Sequence, residues 1–103
     1  MNIRKEVETR LRGHIIGSQS ELSNPVIYCK LFNAFGTGTW YLSEYDGEDT
    51  AFGYVTGFTD DEWGYVSISE LVALRMWGNT PRIECDLYFK PARFSSIKTL
   101  KYG

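Results

Sequence analysis

The chain has 103 residues, with 11 Lys plus Arg against 13 Asp plus Glu, one His, two Cys and 16% Phe, Trp and Tyr. That length supports one compact domain with one hydrophobic core and excludes a two-domain enzyme. With 43% apolar and 23% charged residues the composition is that of a soluble globular protein, and no apolar run reaches the roughly 20 residues of a membrane span.

The net charge of −2 conceals a segregation. Between Lys30 and Arg75 there is no basic residue, while Glu44, Asp46, Glu48, Asp49, Asp60, Asp61, Glu62 and Glu70 fall in that interval. The flanks hold all eleven basic residues against five acids. The polarity, more than the net charge, bears on partners.

In chain order, Ile3, Val7 and Leu11 recur at helical spacing among charged residues, which predicts a short amphipathic helix within 2–13. Arg4, Lys5, Arg10 and Arg12 have no apolar stretch behind them, so this segment does not read as a secretory signal, and a cytoplasmic location is expected. Residues 17–24 are polar and turn-rich. Pro25 then precedes a predicted strand from Val26 to Phe32, buried on both faces for part of its length.

After Gly36-Thr37-Gly38 a second strand runs from Thr39 to Tyr45, and Asp46-Gly47-Glu48-Asp49 is a turn before a third strand at 51–58. Asp60-Asp61-Glu62 forms another acidic turn before a short strand, Trp63 to Val66. Short connections favour an antiparallel meander. Ser67-Ile68-Ser69-Glu70 has capping-box spacing, and the periodicity predicts a helix over 68–77, ended by Gly78-Asn79. Pro81 opens a strand over 82–89, in which Ile83, Cys85, Leu87 and Phe89 alternate with polar partners. The tail from Ala92 either adds an edge strand through 94–100 or hangs off the body. The expected class is α+β: a single domain with a mainly antiparallel, twisted sheet of about five strands and one or two short helices. Its parts are 1–24 as helix and loop, 25–91 as core, and 92–103 as tail.

Catalytic and metal chemistry find little support. The only histidine, His14, ends a thin helix and reads as a surface or capping residue in preference to a dyad with Cys29 or Cys85. The two cysteines read as buried hydrophobes. Three Cys and His in total, far apart, do not make structural zinc; the acidic turns lack calcium-loop spacing, and the glycines form no phosphate motif. No enzyme activity and no cofactor are expected. The aromatic-rich stretch 40–65 lacks Lys and Arg, which disfavours direct nucleic-acid binding there. Most of its aromatics should be core, the remainder suiting a protein interface.

Thr39-Trp40-Tyr41-Leu42-Ser43-Glu44, Ala51-Phe52-Gly53-Tyr54, the run Glu62 to Leu71 and Asp86-Leu87-Tyr88-Phe89 appear in an order that resembles a family of small uncharacterised domains. That family is carried by phages, plasmids and other bacterial mobile elements, and the resemblance covers roughly 25–91. It includes a type II-A anti-CRISPR protein, an inhibitor of the Cas9 nuclease. The resemblance therefore implies a non-enzymatic inhibitor that binds Cas9 directly in the bacterial host cytoplasm. Cas9 holds nucleic acid in basic channels, for which an acidic surface can compete. The expected patch is Glu44, Asp46, Glu48, Asp49, Asp60, Asp61 and Glu62 on neighbouring turns at one end of the sheet, with Tyr45 and Trp63 beside them. The alternative is a DNA-associated accessory module using Arg4, Lys5, Arg10, Arg12, Lys90, Arg93, Lys98 and Lys101 on the basic flanks.

Overall fold

The computed structural model describes residues 2–97. Helix α1 (Ile3–Arg10) starts where the Asn2 side chain accepts the Lys5 amide hydrogen at 3.0 Å, satisfying one of the free donors of the first turn. Its thin stripe is sufficient: Ile3, Val7 and Leu11 are all buried against the sheet.

The main sheet has five antiparallel strands: β2 (Cys29–Asn33), β3 (Thr39–Tyr45), β4 (Thr50–Thr56), β5 (Glu62–Ser67) and β8 (Ile83–Cys85). Their order is β5-β4-β3-β2-β8, so the meander read from the turn signals is present and β8 closes one side. One face packs α1 and helix α2 (Ile68–Ala73) on Cys29, Leu31, Trp40, Leu42, Tyr45, Ala51, Ile83 and Cys85. The opposite face is covered at its centre by the C-terminal segment, where Ile97, Phe89 and Ala92 pack on Ile27, Tyr41, Tyr54 and Trp63. The α+β class is as expected.

Four elements differ from expectation. The strand at 26–32 is two: β1 (Val26–Ile27) leaves the sheet and pairs with β9 (Ala92–Arg93), while the Tyr28 amide donates to Leu42 at the break. Among the described residues the tail therefore adds no strand to the main sheet; after β9 it turns helical at 94–97, and the rest of the predicted 94–100 segment lies outside the described residues. Helix α2 stops at Ala73, four residues early, because Leu74 is extended and Arg75–Met76 (β6) pairs with Thr80–Pro81 (β7) around Trp77–Asn79. Trp77, within the expected helix, is 91% exposed. The strand at 82–89 ends at Cys85, since the Asp86 side chain accepts the Tyr88 amide (3.0 Å) and turns the chain.

β3 contains a bulge between Leu42 and Glu44, with Ser43 unpaired against β4. In an unbroken strand with Trp40 and Leu42 facing the helices, Glu44 would face them too and Tyr45 would face away. The extra residue exchanges the two. Tyr45 enters the helix-side core beside Ala51, and Glu44 lies on the opposite face beside Phe52.

Gly53 and Gly64 are register partners with opposite tolerances. A Cβ on Gly53 would lie 2.2 Å from the Tyr41 carbonyl oxygen, whereas one on Gly64 would meet nothing within 4 Å. Gly53→Ala is expected to lower stability by about 1–3 kcal/mol, the usual cost of overpacking, while Gly64→Ala leaves it little changed. Paired thermal or urea unfolding curves check this.

Candidate interaction surfaces

The acidic residues expected in one patch separate into three environments. In a meander, successive turns lie at opposite ends of the sheet, so the turn after β3 and the turn after β4 are the length of β4 apart. The seven residues of β4, with a rise of about 3.3 Å from each to the next, place them about 20 Å from one another. The single patch of Glu44, Asp46, Glu48, Asp49, Asp60, Asp61 and Glu62 is thus corrected by topology.

At the first end the acids are structural. One oxygen of Asp46 accepts the amides of Glu48 (2.8 Å), Asp49 (2.8 Å) and Thr50 (3.0 Å), which closes the turn and lowers the Asp46 pKa. Asp49 reaches the start of α2. It accepts the Ser67 hydroxyl at 2.6 Å, the Ser69 amide at 2.8 Å and the Ser69 hydroxyl, while its backbone oxygen takes the Ile68 amide at 2.8 Å. Arg4 of α1 completes this hub, donating to the Asp49 carboxylate at 2.8 Å, the Glu48 carbonyl at 2.7 Å and the Ser69 hydroxyl at 3.0 Å. Ser67 and Ser69, with Arg4 as the countercharge, hold the Asp49 carboxyl far below the usual carboxylate range. The capping serine acts as the spacing predicts, accepting the Glu70 amide at 3.2 Å. Among these acids Glu48 is exposed, with its backbone rather than its side chain bonded to Arg4.

Glu44, placed by the bulge, is only 5% exposed. Its two oxygens accept the amides of Gly17 (2.9 Å) and Gln19 (2.8 Å), and Gln19 in turn bonds both the amide and the carbonyl of Val26. A single carboxylate thereby ties the 15–22 loop to the sheet. Tyr45, at 4% exposure, is core and its phenol is pushed up by burial, so it does not anchor a partner. Trp63 is half-buried and belongs to an aromatic row: its ring centroid is 5.7 Å from Phe52, 5.4 Å from Tyr54 and 4.9 Å from Phe94.

At the far end Asp60, Asp61 and Glu62 are exposed, next to exposed Phe58. Phe58 packs its edge on Trp40 and closes over Gly38. Gly38 and Gly57 also line an open groove of about 760 Å³ that runs past Phe32, Thr39, Glu84 and Asp86 to Leu87 and Tyr88. Tyr88 is 93% exposed, and Leu87 is half exposed. Sequence alternation hid both, since it assigned them to a strand.

Of the six described flank residues named for DNA binding, three are committed to the fold. Besides Arg4, Arg10 bonds Glu6 (3.2 Å) and the carbonyls of Phe89 (3.0 Å) and Leu87 (3.1 Å), and Arg93 donates to the Asn24 carbonyl at 3.0 Å. Lys5, Arg12 and Lys90 are exposed; Lys98 and Lys101 lie outside the described residues. His14 stacks on Tyr28 at 3.7 Å between centroids. Cys29 and Cys85 are buried thiols, as expected, and their mutual hydrogen bond, with burial, keeps the Cys29 thiol protonated. Among the described residues no three His, Cys, Asp or Glu are grouped to hold a metal ion, and no helix is long and apolar enough to cross a membrane.

The chain belongs to the DUF2958 family of proteins of unknown function, whose model matches residues 3–98. The match takes in α1 and the C-terminal segment, both beyond the 25–91 span of the sequence resemblance. No curated protein matches the chain. No solved structure matches it either.

Two outcomes follow from these environments. Because the Asp49 pKa is depressed in the fold, its contribution is complete above about pH 5 and fades as pH falls below the ordinary carboxylate value of about 4. Asp49→Asn is expected to lower the unfolding midpoint at pH 7, with the difference from wild type shrinking below about pH 4; melting curves from pH 7 to pH 3 check the sign. Glu44→Ala is expected to cost about 1.5–3 kcal/mol, the worth of a charged hydrogen-bond site. Hydrogen exchange should then accelerate at the Gly17 and Gln19 amides ahead of the rest.

Proposed function

We propose that this protein is a non-enzymatic inhibitor of the Cas9 nuclease of type II-A CRISPR systems, encoded by a mobile element and acting by direct binding in the host cytoplasm. The resemblance of residues 39–44, 51–54, 62–71 and 86–89 to an anti-CRISPR-containing family supports the class of activity. One structural observation supports binding in particular: Phe58, Leu87 and Tyr88 are exposed around a groove whose borders carry Glu84, Asp86 paired with Lys30 at 3.8 Å and, on the adjoining turn, Asp60, Asp61 and Glu62. Large exposed apolar side chains with a polar rim mark interaction sites, and Tyr is enriched among binding hot spots.

The mechanism needs no chemistry on the partner. Carboxylates on the distal turn meet Lys and Arg that otherwise hold nucleic acid, while Tyr88, Leu87 and Phe58 supply the apolar contact that gives residence time. Inhibition is then stoichiometric and weakened by salt. The alternative of DNA binding through the flanks is less supported, because Arg4, Arg10 and Arg93 are hydrogen-bonded within the chain.

A Cas9 cleavage assay titrated with the protein tests this. Wild type should inhibit near equimolar ratio, while Asp60→Lys/Asp61→Lys/Glu62→Lys and, separately, Tyr88→Ala should weaken inhibition about tenfold or more. Glu48→Lys, at the opposite end, should inhibit like wild type. Undiminished cleavage at a large excess of folded wild-type protein would overturn the proposal.

A further inference from the structure

The sheet face that carries the aromatic row holds a second cavity, which shares no lining residue with the groove. It is a cleft of about 390 Å³ between β3–β5 and the 15–25 loop. Phe52, Trp63, Tyr65 and Phe94 form its aromatic walls; Glu44 lies at its base. Glu44, Phe52 and Tyr65 are consecutive register partners across β3, β4 and β5, so their side chains share one row on this face. The rings of Phe52 and Tyr65 are 4.9 Å apart, and Tyr65 is 67% exposed at the mouth.

The charge in this cleft is one-sided. Its lining includes no Lys, Arg or His, and Glu44 takes part in no ion pair among the described residues. Each Glu44 oxygen accepts one backbone amide, and a carboxylate has about four acceptor positions, so capacity remains on both oxygens. Aromatic faces carry negative quadrupole potential, and a low-dielectric carboxylate beside them adds to it. A planar cation satisfies both at once, stacking on rings and donating directed N–H bonds to two oxygens, which an ammonium does less well.

The geometry points to this cleft as a binding site for an arginine side chain presented by a partner protein, with Tyr65 and Phe52 stacking on the guanidinium and Glu44 accepting its hydrogen bonds. The site involves different residues from the Cas9-binding surface proposed above and stands or falls separately from it.

Amide chemical-shift titration of the intact protein with the capped peptide Gly-Arg-Gly tests the site, beside its neutral isostere Gly-citrulline-Gly and L-arginine amide. Saturable shifts confined to Phe52, Trp63, Tyr65 and the 15–25 loop, with Kd of about 1 mM or tighter, are expected for the arginine peptide. Citrulline should bind about tenfold more weakly or worse. Tyr65→Ala, a largely exposed side chain, should lose binding to a similar degree without disturbing the remaining spectrum, and Glu44→Gln should do the same. Equal binding of the arginine and citrulline peptides, or shifts elsewhere, would overturn the proposal. Arginine amide binding as tightly as the peptide would assign the cleft to a free guanidinium compound and overturn the protein partner. Should Glu44→Gln loosen the 15–22 loop, the citrulline and Tyr65→Ala arms decide alone.

Discussion

A single extra residue in β3 sets the arrangement of nearly everything around it. With Ser43 unpaired, Tyr45 turns into the helix-side core and Glu44 turns out of it. Had the strand continued in register, the Glu44 carboxylate would enter the helix-side apolar cluster that Tyr45 now joins, at a desolvation cost that the bulge avoids. Placed on the opposite face, the same carboxylate organises an otherwise polar loop through the Gly17 and Gln19 amides. Through Gln19 that tether extends to Val26, where β1 departs to pair with β9. The C-terminal cover of the sheet is thus linked, by three successive hydrogen-bonded steps, to the bulge.

Charge distribution along the chain and charge distribution in space are different quantities. The acidic centre and basic flanks seen in the sequence meet once folded where Arg4 pairs with Asp49, while Lys30 approaches Asp86 within the flanks themselves. Asp46 and Asp49 are consumed by amides and hydroxyls whose donors would otherwise be unsatisfied at a turn and a helix start. Exposed in the acidic centre are the distal trio Asp60, Asp61 and Glu62, of which Asp61 accepts the Gly57 amide at 3.3 Å, and Asp46, Glu48 and Glu70 on the far side. The electrostatic case for a basic partner accordingly rests on fewer residues than the sequence suggests, but on ones that adjoin exposed Phe58 and the groove leading to Tyr88.

The meander, the hairpin at 46–49 and the serine cap of α2 were all readable because each depends on local chemistry: turn residues, β-branched and aromatic runs, and an Ser-x-x-Glu spacing. The bulge left a trace as well, since apolar residues at 40, 42 and 45 break the period of two, although that trace alone does not say which residue is extra. Other features were hidden for physical reasons. Helical periodicity continued past Ala73, but pairing of β6 with β7 outweighed it, leaving Trp77 in solvent. Alternation continued past Cys85, but the Asp86 side chain captured the Tyr88 amide and Arg10 bonded the carbonyls at 87 and 89. The aromatic cleft needs residues from five separate segments, and no local pattern reports such a convergence.

In the proposed inhibition the distal turn and groove, rather than the 46–49 turn, face Cas9. Hydrogen exchange of the protein alone and with guide-loaded and guide-free Cas9 tests it most directly. Added protection at 57–62 and 84–88, with 46–50 unchanged, is the predicted footprint. Protection confined to 46–50 and α2, or none anywhere at saturating Cas9, would contradict it.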